Sequence, residues 1–102
     1  AKGTDLRIEI ETRHEEEICE ALATNIPDRI MLDNFSPERT KGAVKIIRTW
    51  EQEHGKHIEI ESSGGITIDT IRSYAETGVD FVSVGALTHS IKSLDMSFKA
   101  VK

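Results

Sequence analysis

Short runs in which apolar and polar residues alternate are separated by longer stretches with apolar residues three and four positions apart. The first run, Arg7-Ile8-Glu9-Ile10-Glu11, alternates strictly. It predicts a strand with isoleucines on one face and carboxylates on the other. Arg29-Ile30-Met31-Leu32, Ile58-Glu59-Ile60-Glu61 and Phe81-Val82-Ser83-Val84 predict three more strands. Helices are expected between them. Thr12 and Glu15 suit a capping box at the start of the first, Glu15, Glu16 and Glu17 suit its dipole, and Ile18, Ala21 and Leu22 form its apolar stripe. Asn25 and Pro27 close it. Ser36-Pro37-Glu38 opens the second helix, Val44, Ile47 and Trp50 mark one face, and Gly55 ends it. Thr67 is the expected cap of the third, with Ile66 and Ile71 placed as a hydrophobic staple. Gly78 suits the left-handed position after it, with Val79 folding back on Tyr74. A short turn or helix is expected over Thr88 to Ser93, and a last strand at Met96-Ser97-Phe98.

Strands alternating with helices imply a parallel sheet with right-handed crossovers. A weak internal repeat supports two similar βαβα units: Arg7 to Thr12 and His57 to Ser62 share one pattern 50 residues apart. The fold class expected is α/β, the parallel β/α half of an open TIM-like barrel with about four strands. Parallel strands usually read as continuous apolar runs because both faces are covered. Glu9, Glu11, Glu59 and Glu61 break that rule. Either one sheet face is wet, or the carboxylates line a polar barrel interior. Buried carboxylates need cations or hydrogen-bond donors. The Lys and Arg residues lie mostly in helices and loops, so the expected partners are metal, ligand or groups outside this chain.

Composition narrows the class. The chain has 102 residues, 13 Lys plus Arg against 18 Asp plus Glu, and a formal net charge of −5. Nucleic acid and anionic membranes favour basic surfaces, so neither is an expected partner. No apolar run reaches the length of a membrane span, and the first residues do not resemble a signal peptide. The single cysteine, Cys19, permits no intrachain disulfide and fits a reducing cytoplasm.

Ligands of α/β proteins sit beyond the carboxyl ends of the strands. Those ends are Glu11, Asp33, then Ser63-Gly64-Gly65, then Gly85-Ala86-Leu87. Two acids at neighbouring tips suit Mg²⁺ or sugar hydroxyls, although Asp33 also reads as an ordinary loop acid. Two glycine turns ahead of helices suit a phosphate, although a glycine pair also serves as a simple turn. The order, acids first and glycine turns last, matches barrels whose phosphate site lies in the final loops. His89, just past the fourth tip, suits a proton carrier or anion contact as well as a packing role. His54 and His57 read as surface histidines, Cys19 as a small packed hydrophobe, and Trp50 as core or interface.

These segments resemble a known family. Ile8-Glu9-Ile10-Glu11, Ile30 to Phe35, Glu61 to Thr67, Tyr74 to Asp80, Ser83 to Ser90 and Leu94-Asp95-Met96-Ser97 are similar, in order, to quinolinate phosphoribosyltransferase. The resemblance implies transfer of a phosphoribosyl group from phosphoribosyl pyrophosphate to quinolinate. Decarboxylation to nicotinate mononucleotide follows, with Mg²⁺ required, as a step of NAD synthesis. It implies an N-terminal sandwich domain beside an open α/β barrel, in a homodimer. It assigns Glu11 and Asp33 to ribose hydroxyls and Mg²⁺, and Ser63-Gly64-Gly65 and Gly85-Ala86-Leu87 to phosphate. Glu61 and His89 lie in matched motifs without a firm role. The resemblance covers the C-terminal third only. The N-terminal domain, and the early strands whose arginine, histidine and lysine cluster grips quinolinate, are absent from this sequence. The isolated chain is therefore expected to bind phosphate without turnover. The alternative is a free-standing phosphosugar-binding or self-assembling half-barrel module.

Overall fold

A computed structural model describes residues 8–92. The chain runs β1 (Glu9–Thr12), α1 (Glu15–Thr24), β2 (Arg29–Asp33), α2 (Pro37–His54), β3 (Glu59–Ser63), α3 (Ile71–Ala75), β4 (Phe81–Val84) and β5 (Leu87–Ser90). The sheet order is β1-β2-β3-β4-β5, with the first four strands parallel. Strands laid down in chain order, with no reversal, are the order of a barrel wall; a doubly wound sheet reverses at its switch point.

The alternation in the sequence sets the two faces. Ile30, Ile60 and Val82 are fully buried on one face. They form one core with Ile18 and Leu22 of α1, Ala43, Val44 and Ile47 of α2, and Ile71 of α3. Their strand neighbours Glu9, Glu11, Arg29, Asp33, Glu59 and Glu61 take the other face, which no helix covers among the described residues. The core isoleucines face the helices and the carboxylates take the opposite, polar face, as the alternation predicts.

Ser36 caps α2 as expected: its side chain accepts from the Arg39 N–H at 3.2 Å, and Pro37 follows at the first helical position. Asn25 and Gly55 end α1 and α2 in the left-handed region. Other expectations are corrected. Thr12 does not cap α1. It belongs to β1, fully buried, and its hydroxyl donates to the Met31 carbonyl at 2.9 Å. The helix starts after extended His14, and Glu17 accepts from the Arg13 N–H at 2.6 Å. The third helix is one short turn that begins after Thr70, because Thr67 first closes a turn onto the Thr70 N–H at 3.0 Å. Thr88 to Ser90 is neither turn nor helix. Gly85, at φ 64°, opens a two-residue turn, and Leu87–Ser90 returns antiparallel along β4. The strand expected at 96–98 lies outside the described residues. Cys19 is exposed rather than packed, since Ile18 beside it takes the core position.

Candidate functional site

The register of the parallel strands puts the tips side by side. Thr12 pairs with Leu32, and Asp33 pairs with Ser63. Past Asp33 the chain turns through Asn34 at φ 65°, whose N–H donates to the Ser63 carbonyl at 2.9 Å. Gly64, at φ 94°, lies hard against this turn. A Cβ at that position would sit 2.8 Å from the Asn34 nitrogen and 2.9 Å from Asp33 Oδ1. Only glycine permits both the conformation and the approach. The acid of the second tip and the glycine turn of the third thus form one structure.

Beyond this contact opens a cleft of about 640 Å³, lined by Ser63, Gly64, Gly65, Ile66, Thr67, Ile68, Ser83, Val84 and Gly85. The phosphate candidates Ser63, Gly64, Gly65 and Gly85 meet there. Ala86 and Leu87 do not line it: Ala86 is in the exposed turn, and Leu87 is 65 % exposed on β5. His89 pairs with Val82, which puts it on the helix-covered face, while Thr88 pairs with Ser83 on the inner one. α3 is short and starts only at Ile71, so the cleft is bordered by loop backbone and not by a helix N-terminus.

Two arginines that the sequence pattern did not place at the site organise its acids. Arg13, directly after β1, reaches Asp33 Oδ2 at 3.1 Å through Nε and Glu11 Oε2 at 3.5 Å through Nη2. Arg29, on the inner face of β2, donates to Glu59 Oε1 at 2.9 Å and to Glu61 Oε1 at 3.1 Å, and lies over the Phe81 ring at 3.9 Å. The expectation that these carboxylates have no cations within the chain is therefore wrong. Arg29 and Glu59 are 30 residues and one crossover apart in the chain, yet register places them directly opposite each other. Burial opposes charge on Arg29, but its bonds to Glu59 and Glu61 outweigh it and hold its pKa above the ordinary value.

Among the described residues Glu61 is the most enclosed acid, only 4 % exposed. Its second oxygen accepts from Ser83 Oγ at 2.6 Å, and Ser83 Oγ lies 3.0 Å from Thr88 Oγ1. Glu61 therefore ties the floor of β3 to a cleft residue of β4. Ser83 and Asn34 are further residues that sequence reasoning missed; the inner-face alternation Phe81, Ser83 was the available signal for the first.

Glu9 has its pKa raised, by partial burial first and then by the neighbouring Glu61 carboxylate. A raised folded pKa means that ionising Glu9 works against folding, so stability falls as pH rises from the ordinary carboxylate value through the raised one. Glu9→Gln is expected to be more stable than wild type at pH 7, with the gain vanishing toward pH 4. Urea midpoints at the two pH values check this; an equal gain at both would contradict it.

Glu11 and Asp33 can be tested as holders of a divalent cation. The Arg13 guanidinium is a stand-in ion: one cationic group touches both carboxylates, so the pair converges on a single positive charge. Oxygen donors suit Mg²⁺, which commonly takes one or two carboxylates and completes its shell with water and substrate oxygens. Among the described residues no three His, Cys, Asp or Glu side chains gather around one point. The pair fits a cation shared with a ligand, not a closed protein cage.

The sheet order and the strand tips define a segment of an α/β barrel with an open cleft at the carboxyl ends of its strands. Residues 1–99 match the family described as quinolinate phosphoribosyl transferase, C-terminal domain. The chain belongs to that family. A probable carboxylating nicotinate-nucleotide pyrophosphorylase of Methanocaldococcus jannaschii is 48 % identical over 96 residues, 94 % of this chain and 34 % of that protein. The carboxylating nicotinate-nucleotide pyrophosphorylase of Dictyostelium discoideum is 39 % identical over 100 residues, 98 % of this chain and 32 % of that protein. The solved nicotinate-nucleotide pyrophosphorylase of Francisella tularensis superposes with a TM-score of 0.67 at 41 % identity, covering 81 % of this chain and 27 % of that one. The chain spans about a third of the length of the curated relatives it matches. Among the described residues no helix is long and apolar enough to cross a membrane.

Proposed function

We propose that this chain supplies the ribose-phosphate half of a quinolinate phosphoribosyltransferase site. The overall reaction is transfer from phosphoribosyl pyrophosphate to quinolinate, with decarboxylation to nicotinate mononucleotide. The observation that carries the reading is the seating of Gly64 against Asn34 and Asp33, which fuses an acid tip and a glycine loop into one ligand-sized site.

In this reading the 5-phosphate lies in the cleft, held by backbone N–H groups of Gly64, Gly65 and Gly85 and by Ser63. Asp33 and Glu11 accept hydrogen bonds from the ribose hydroxyls. As pyrophosphate departs with the electron pair of its bond to ribosyl C1, that carbon becomes oxocarbenium-like. The two carboxylates stabilise the developing positive charge. The pyridine nitrogen of quinolinate then forms the new bond to C1. Fixing the phosphate aligns C1 for that displacement. Mg²⁺, when bound at Glu11 and Asp33, would neutralise the leaving pyrophosphate. Arg29 is bonded to Glu59 and Glu61, so the reading takes the cations that grip the dianionic quinolinate from other parts of the complete site. A cytoplasmic homodimer containing the remaining domain is the assembly this reading favours.

The test is a chimera in which the preceding two thirds of the Methanocaldococcus jannaschii relative are joined ahead of this chain. Quinolinate-dependent release of CO₂ in the presence of phosphoribosyl pyrophosphate is the expected result. A folded chimera that binds quinolinate but releases none would reject the reading. In an active chimera, Asp33→Asn is expected to lower kcat by about 100-fold or more, the scale of losing one electrostatic contact made in the transition state.

A further inference from the structure

Arg13 is the part of the site that the strand pattern does not explain. Its backbone is pinned. Its N–H donates to Glu17 Oε1 at 2.6 Å, and its carbonyl accepts from Arg39 Nη2 at 3.2 Å. Arg39 is in turn forked onto Glu15 at 3.0 Å and lies over the Phe35 ring at 4.2 Å. The side chain is a different matter. It is 65 % exposed, and its ion pairs are the 3.1 Å contact to Asp33 and the 3.5 Å contact to Glu11. Exposed pairs of this kind are weak and exchange readily with water. The result is an exposed cationic arm on a fixed post, resting on the two acids that the proposed function gives to the divalent cation.

A guanidinium and a divalent ion cannot share that position. Both need the same oxygens, and at a few ångströms their charges repel. We propose that Arg13 is the resident counter-ion of the Glu11–Asp33 pair, and that a divalent cation enters only by displacing it. This rests on the reading of Glu11 and Asp33 as the metal-bearing acids. The arm makes the pair a poor metal site by itself: it screens the mutual repulsion of the two acids and imposes competition on any entering cation. Removing the positive charge should therefore tighten binding of the metal alone, the opposite of what is expected for a residue that builds the site.

The experiment is titration of the 102-residue chain with Mn²⁺ alone, reading free Mn²⁺ by electron paramagnetic resonance and locating the ion by amide broadening. Arg13→Gln is expected to bind Mn²⁺ roughly tenfold more tightly than wild type, the scale set by removing one charge beside a divalent ion. Arg13→Lys, which keeps the charge, is expected to stay within about threefold of wild type. Broadening should centre on Glu11, Asp33 and Asn34. Equal or weaker binding in Arg13→Gln overturns the proposal. Adding Asp33→Asn to Arg13→Gln separates this failure from failure of the underlying reading. Loss of the ion in the double variant, with wild type and Arg13→Gln equal, keeps the acid pair as the metal site and rejects only the arm. Retention of the ion in the double variant rejects the acid pair, and the proposal falls with it.

Discussion

Gly64→Ala is expected to produce the largest single loss in this protein. An added Cβ meets the Asn34 nitrogen at 2.8 Å, and that nitrogen is backbone, fixed by its bond to the Ser63 carbonyl. The residue also holds φ at 94°, which an L side chain resists. Left-handed strain contributes about 1–2 kcal/mol and overpacking about 1–3 kcal/mol, so a total of roughly 3 kcal/mol is expected. Gly65→Ala is the internal control. It carries φ 73° with nothing near its would-be Cβ, so only the strain remains. Urea unfolding should rank the two clearly, with Gly64→Ala the more damaging and the Asp33-Asn34 amides displaced. Equal losses would show that the close approach, and hence the fusion of acid tip and glycine loop, is not a constraint.

The second large effect is expected at Arg29. Arg29→Met keeps the length and the contact with Phe81 but removes the guanidinium that bonds both Glu59 and Glu61. Glu61 has only 5 % of its side chain exposed, so water cannot replace the lost partner fully. Removing one member of a buried pair costs about 3–5 kcal/mol; with Arg29 itself 21 % exposed, about 2 kcal/mol is the discounted expectation at pH 7. Denaturant unfolding at pH 7 reads the effect. A loss below about 0.5 kcal/mol would mean that the pair is solvated and gives the sheet no support.

The strand faces and the strand-tip order were legible because isoleucines alternate with acids and because a β-strand has a period of two. The cap at Ser36-Pro37 was legible because it is local. What was not legible depended on distant partners. Thr12 looks like a helix cap, but its hydroxyl finds the Met31 carbonyl on the next strand, so α1 starts later. Arg29 sits 30 residues from Glu59, and only the register of β2 on β3 reveals that they are opposite. Arg13 follows the tip of β1 in plain view, but its reach to Asp33 depends on the β1–β2 pairing. The β4–β5 hairpin, which carries Leu87 and His89 out of the cleft lining, arises from tertiary pairing that no local propensity at Thr88 indicates. The position of Cys19 turned on a single helical step, with Ile18 taking the buried place.

The proposed function makes Gly64, Gly65 and Gly85 one phosphate site beside Asp33. The most direct measurement is an amide titration of the ¹⁵N-labelled chain with nicotinate mononucleotide in the presence of Mg²⁺. Saturable shifts at those three glycines and at Asn34, with one shared affinity and lost in Gly64→Ala, are the predicted result. A spectrum of the folded chain that does not move, or shifts that persist unchanged in Gly64→Ala, would contradict it.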